Sequence, residues 1–390
     1  MKNPVWVLIV IGLICGCKKS DSDPKPLRVY KNYLRTSYEL SNFDNWYSSD
    51  DLWDNNTVYQ SDNPFQVIQT TQLDVNGDGL EDVLSYESYP LNIPTPNPPP
   101  NLFLNNNGTR LIKTRWSGPD IRNPHGTKLL VGDFNNDSFP DVFSVVHVDQ
   151  PFGAFPTLKD NCHLLFNSKN GFDRVLEFND EGFWVAGCSG DIDKDGDLDI
   201  VVFNFHYQGN GVKSKIHWND GKGNFTQDVS GIGEIPTVQS SELVDVNGDG
   251  WLDLVIDYVK FINGVRTPTV SIMWGNGNRF GLNNSNGWEY SGTKFMMNLD
   301  FVDLDGDGYM EIFISGNTGY ANSYIEVYKT GGSVNTWMDK TNQYFSNTSF
   351  GLFGQMIFKD IDKNGKLDIF SMNKKDRIHW EWDGSKFMRK

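Results

Sequence analysis

Short apolar runs rich in β-branched and aromatic residues recur along the chain, each directly after a polar, glycine-bearing stretch. They are Val83-Leu84-Ser85-Tyr86, Val142-Phe143-Ser144-Val145-Val146, Ile200-Val201-Val202-Phe203, Leu254-Val255-Ile256, Ile312-Phe313-Ile314 and Ile369-Phe370-Ser371. Runs this short, without a 3.6-residue period, predict strands rather than amphipathic helices. A second apolar element follows most of them: Leu102-Phe103-Leu104-Asn105, Leu164-Leu165-Phe166-Asn167, Ile216-His217-Trp218-Asn219, Ile272-Met273-Trp274 and Ile378-His379-Trp380. Each runs into a Gly, Asn or Asp turn and then a further strand, the signature of a hairpin. Ile325-Glu326-Val327-Tyr328 is the loosest copy. The repeating unit therefore reads strand, polar loop, strand, long loop, strand, hairpin turn, strand.

The polar stretches are copies of one another. They begin Asp74-Val-Asn76-Gly-Asp78 and end at Asp82; Asp133-Phe-Asn135-Asn-Asp137, ending at Asp141; and Asp191-Ile-Asp193-Lys-Asp195, ending at Asp199. The other three are Asp245-Val-Asn247-Gly-Asp249, ending at Asp253; Asp303-Leu-Asp305-Gly-Asp307, ending at Glu311; and Asp360-Ile-Asp362-Lys-Asn364, ending at Asp368. Their first residues are 59, 58, 54, 58 and 57 positions apart, so residues 64–390 form one repeat array. Oxygen side chains at positions 1, 3, 5 and 9, with glycine usually at position 6 for a sharp turn, can converge on one hard cation. Calcium fits such a set because it accepts six to eight oxygens in flexible geometry, and no Cys or His is present to favour zinc. An EF-hand is excluded: its bidentate Glu at position 12 is replaced by Ser85, Ser144, Val202, Ile256, Ile314 and Ser371, and strands flank the loops.

On these loops and flanking strands the sequence resembles the FG-GAP and VCBS-type repeat propellers and the integrin α-subunit head, over about 320 residues. The resemblance implies an all-β fold, a β-propeller of four-stranded blades with an acidic loop between the first two strands of each. It also implies that positions 1, 3, 5 and 9 are calcium ligands. Ser138 stands where glycine is usual and Asn364 where a carboxylate is usual. Six loops give six blades as the simplest count, with seven as the alternative. Residues 27–63 lack a loop and are expected to close the ring or form a degenerate blade, through Leu27-Arg28-Val29-Tyr30 and Thr57-Val58-Tyr59.

Charge supports the cation reading. The chain is acidic, with net charge −16, which argues against nucleic acid as a partner. Each loop carries three or four carboxylates at its ligand positions, and six Ca²⁺ would bring −16 to −4. Clusters of that kind repel themselves without metal, so a calcium-dependent fold is expected, with about six structural ions.

The amino terminus adds an address. Residues 1–16 show Lys2, an apolar run from Val5 to Ile14 and small residues, the layout of a secretory signal. Ile14-Cys15-Gly16-Cys17 resembles a bacterial lipobox with Cys17 as the lipidated residue, and residues 17–26 read as a polar flexible tether. The apolar run is shorter than the ~20 residues that span a bilayer. These features point to a bacterial outer membrane or cell surface, with lipid as the sole membrane contact. Cys162 and Cys188 remain in the mature fold, either bonded or as two buried thiols.

A partner would meet the face opposite the acidic loops, where the connections carry Phe152, Phe155, Trp184, Tyr207, Tyr258, Lys260 and Tyr320. Aromatic planes beside polar groups suit a glycan or a protein surface, and aromatic packing between blades is the plain alternative. His125, His147 and His206 lie in or beside these connections and are candidate acid–base groups for a polysaccharide lyase or hydrolase, the rival to a binding module.

Overall fold

In the computed structural model, the described residues are 28–30, 67–80, 82–88, 99–106, 110–121, 126–146, 161–179, 182–204, 212–232, 235, 238–262, 265–277, 280–281, 289–291, 295–307, 309–317, 323–330, 337–346, 356–359, 367–371 and 379–389. They form antiparallel sheets in chain order: sheet one spans residues 67–114, sheet two 126–177, sheet three 184–228, sheet four 238–291, sheet five 295–339 and sheet six 356–389. Sheet three shows the unit at its simplest. Its strands Trp184–Gly190, Asp199–Asn204, Lys215–Asn219 and Phe225–Asp228 pair in that order, with the acidic loop between the first two. The fold is all-β and propeller-like, and among the described residues the sole helix is Thr341–Tyr344.

Successive sheets pack face to face, and the period of two along each strand makes this possible. In sheet three, Ile200 and Val202 join Phe143, Leu164 and Trp184 in a cluster shared with sheet two. The alternate residues Val201 and Phe203 join Leu254 and Ile256 of sheet four. The pattern continues: Val255 packs with Ile312 and Ile314, and Phe313 with Ile369 and Trp380. Second strands are thus buried on both faces, and Asp141–Val146 and Asp199–Asn204 are buried throughout. Fourth strands such as Arg174–Glu177 are largely exposed, as the outer edge of a blade must be.

The first strands of sheets one to five lie side by side in chain order, along the inner side of the propeller-like fold. Four of them carry a register shift near the start, at Gly126/Lys128, Trp184/Ala186, Val238/Ser240 and Met296/Asn298. A bulge adds local twist where inner strands must converge. The short strand Arg28–Tyr30 pairs with Phe301–Asp303 of sheet five, while Thr57 to Tyr59 lie outside the described residues. Cys162 and Cys188 are separate buried thiols. No helix among the described residues is long and apolar enough to cross a membrane.

This inner side holds a charged pair. Lys128 on the first strand of sheet two donates to the Ser241 carbonyl at 2.8 Å and to Glu242 Oε1 at 3.2 Å, both on the first strand of sheet four. Both side chains are only 5% exposed. Burial pulls the Lys128 pKa down, opposed by Glu242, Cys188 and Asp300, so first strands of four sheets contribute to one electrostatic cluster. Replacing Lys128 by Met removes the buried counter-charge of Glu242 and is expected to cost about 3–5 kcal/mol in denaturant unfolding. The double change Lys128→Met with Glu242→Leu should recover most of that loss; equal losses in both variants would refute the coupling.

His163, on the third strand of sheet two, is buried beside Tyr86 at 6.3 Å between ring centroids, and its Nε2 has no hydrogen-bond partner. Burial pushes its pKa down to about 4. Because the folded value lies below the unfolded ~6.5, this group's contribution is complete above that pH and is lost as pH falls towards 4, up to about 3 kcal/mol. His163→Phe should therefore flatten the fall in melting temperature between pH 7 and 4.5, and parallel curves for the two proteins would disprove it.

Candidate metal centre

Loops one to four are tight reversals in which the residue at position 1 accepts backbone amides of the turn. Asp74 Oδ1 accepts from Gly77 and Asp78 at 2.8 and 3.1 Å, and its Oδ2 accepts from Gly79 at 2.7 Å. Asp245 repeats this with Gly248, Asp249 and Gly250, and Asp133 bonds the Asp137 and Ser138 amides. Position 6 needs a left-handed backbone: Gly79, Gly196 and Gly250 have φ of 82°, 97° and 87°. Ser138 is forced into the same region at φ 73°, so the sequence departure at loop two is absorbed as strain.

Position 9 ties the loop to the sheet. Asp82 is fully buried, its Oδ2 accepting the Val75 amide at 2.9 Å and its Oδ1 the Asn105 amide at 2.7 Å. Asp141 does the same with Phe134 and Asn167, Asp199 with Ile192 and Asn219, and Asp253 with Val246 and Gly275. Burial, reinforced by the neighbouring loop carboxylates and opposed by these amides, raises Asp141, Asp199 and Asp253 to about 7.

The loops differ at position 3. Asn76, Asn135 and Asn247 each turn an amide NH₂ towards the position 5 carboxylate, at 3.0–3.2 Å. Asp193 and Asp305 cannot do so, and these two loops bring three carboxylates together: Asp191, Asp193 and Asp195, with oxygens within 4.8 Å of one another, and likewise Asp303, Asp305 and Asp307. In loop three, Asp191 Oδ1 is buried and accepts no hydrogen bond. Burial and then the charge of Asp195 raise the Asp193 pKa. Lys194, the basic residue within that loop, lies over the Trp251 ring at 3.9 Å instead. An unpartnered oxygen beside two further carboxylates is a donor set that fits a hard divalent cation, with Asp191, Asp193 and Asp195 as its holders.

Neighbouring loops are interlocked. Asn136 Nδ2 donates to Asp197 Oδ1 at 2.7 Å, joining loops two and three. Asn167 Nδ2 donates to the Val75 carbonyl and Asn219 Nδ2 to that of Phe134, both at 2.9 Å, so the hairpins of sheets two and three each hold the loop of the sheet before them.

The aromatic and histidine candidates fare differently. Trp184 is fully buried among Phe143, Phe178 and Ile200, which makes it a packing residue and corrects its reading as part of an open platform. Tyr258 is also a core residue, its hydroxyl 3.3 Å from the Ser271 hydroxyl. Residues 258–261 are strand rather than loop, because Asp253–Ile262 and Val265–Gly275 form a long hairpin in which Lys260 stands opposite Thr267. His125, His147, Phe152, Phe155, His206, Tyr207 and Tyr320 lie outside the described residues, as do Asp360, Asp362 and Asn364 of loop six; Asp368 is buried. Cys17 is likewise outside them.

Sheets with inner first strands, exposed fourth strands and an acidic loop at one fixed position define a propeller-like repeat protein. The family model described as an FG-GAP-like repeat matches residues 74–144 and 191–256, which supports an FG-GAP repeat fold. Each match runs from an acidic loop to the second strand of the following sheet. No curated protein matches the chain.

The strain at position 6 makes a direct prediction. Ser138→Gly should stabilise the protein by about 0.5–1 kcal/mol, the relief of left-handed strain exceeding the greater unfolded-state freedom of glycine. Gly196→Ala should destabilise it by about 1–2 kcal/mol on the same argument. Thermal unfolding of both variants checks this; a stabilising Gly196→Ala would overturn it.

Proposed function

We propose that the protein is a calcium-stabilised propeller that binds a glycan or a protein, held by a lipid on Cys17 at a bacterial outer membrane or cell surface. The observation that carries the calcium part is loop three, where Asp191 Oδ1 lacks a partner and faces Asp193 and Asp195. The FG-GAP-like repeats support a binding module in general. The lipid anchor rests on Ile14 to Cys17 and the polar tether after it. The binding face is the end of the sheets away from the acidic loops, whose connections vary in length and sequence. Asp74, Asn76, Asp78, Asp133, Asn135, Asp137, Asp245, Asn247 and Asp249 would hold further ions in loops one, two and four.

Calcium removal tests the first part. Chelation should lower the melting temperature, with a loss of about 4 kcal/mol for each site that calcium at a thousandfold excess over Kd had filled. An unchanged midpoint would refute structural calcium. A glycan array with the calcium-loaded protein, followed by mass analysis of each bound glycan, tests the second part. Intact bound glycan is the expected result, and cleavage abolished by His147→Ala or His206→Ala would replace the binding module with an enzyme.

A further inference from the structure

Loop five has the same acidic pattern as loop three, yet its surroundings differ. Its position 9 residue, Glu311, stands directly opposite Lys329 in the pairing of Glu311–Asn317 with Ser323–Thr330. In sheet three the pair Ile200 and His217 puts Trp218 one step further along, at the equivalent place beside Asp199. The same count gives Leu104, Phe166 and Trp274 in sheets one, two and four. The position is apolar in sheets one to four, is Glu381 opposite Asp368 in sheet six, and is a lysine in sheet five.

That lysine reaches into the loop. Its Nζ lies 2.5 Å from Asp305 Oδ2, 2.9 Å from Asp307 Oδ2 and 3.1 Å from Glu311 Oε1. An ammonium has three donor hydrogens, and here each has a carboxylate, from positions 3, 5 and 9 of the loop. The side chain is 9% exposed. Tyr344 on the short helix donates to the same Glu311 Oε1 at 3.1 Å, and the Leu304 amide holds Oε2 at 2.9 Å, so the acceptor is fixed in place. A divalent cation at the centre of this loop would need the oxygens that the ammonium already takes. It would also have to expel a buried charge into its own neighbourhood, where two like charges repel. The residues of loop five do not fit calcium.

We propose that Lys329 is the resident cation of loop five, and that its ammonium keeps calcium out of a loop whose sequence otherwise matches the calcium pattern. The contrast with the other loops rests on the calcium reading above; the seating of Lys329 does not.

Amine acylation of the unaltered protein, read by peptide mass spectrometry, tests the seating. Lys329 should react at least tenfold more slowly than the exposed Lys222, both in chelator and in saturating calcium. Reactivity of Lys329 rising to that of Lys222 on adding calcium would overturn the proposal, because the metal would then have evicted it. Equilibrium dialysis with calcium tests the exclusion. A folded Lys329→Met protein should bind one calcium more per chain than the parent, and an equal count would overturn it. If the parent binds no calcium at all, the calcium reading fails, and acylation still decides the place of Lys329.

Discussion

The structure depends on a buried carboxylate at the ninth position of each acidic loop. Asp82, Asp141, Asp199 and Asp253 each accept one amide from within their own loop and one from the end of the third strand. One side chain therefore fixes the turn, the junction of the first two strands and the start of the hairpin. Charged acceptors make stronger hydrogen bonds than neutral ones, and leaving two buried amides without partners costs their full desolvation. Glu311 keeps the loop amide, that of Leu304, but its second oxygen takes the Lys329 and Tyr344 side chains where the others take a third-strand amide.

That choice creates an electrostatic debt that the loops settle in different ways. Burying one carboxylate near two or three others raises its pKa, and Asp141, Asp199 and Asp253 are driven to about 7. Loops one, two and four soften the repulsion with an asparagine at position 3, whose NH₂ faces the position 5 carboxylate. Loop five brings an ammonium from the opposite strand. Loop three has neither: four carboxylates stand at its ligand positions and its own lysine is drawn away to Trp251. The demand for an external cation is thus unequal around the array, although the six sequences look alike.

The local parts of this were legible in the sequence because they are short-range. The position of each loop between two strands follows from nine consecutive residues and the apolar run behind them, and the hairpins follow from Gly and Asn turns. Contacts made across sheets were not legible. Trp184 looks like a connection aromatic until the register shift at Trp184/Ala186 places it inside the first strand, facing sheet two. Lys329 looks like an ordinary strand-end lysine, because the loosest hairpin copy hides that it, and not Tyr328, occupies the place of Trp218. The pairing of Lys128 with Glu242 joins residues 114 apart in sequence across the inner side of the fold, which no local pattern encodes. The burial of His163 likewise depends on Tyr86 from another sheet.

Division of labour within the strand explains why such an array tolerates variation at one end. Alternate residues of each second strand feed clusters on opposite faces, as Ile200 and Val202 do on one side and Val201 and Phe203 on the other. A sheet is therefore incomplete without both neighbours, and the interlocks from Asn167 to Val75 and Asn219 to Phe134 carry the same dependence into the loops. Packing and loop chemistry together constrain the strands and the acidic end of each sheet. The connections between second and third strands carry no such repeated pattern, and their lengths and sequences differ from one sheet to the next.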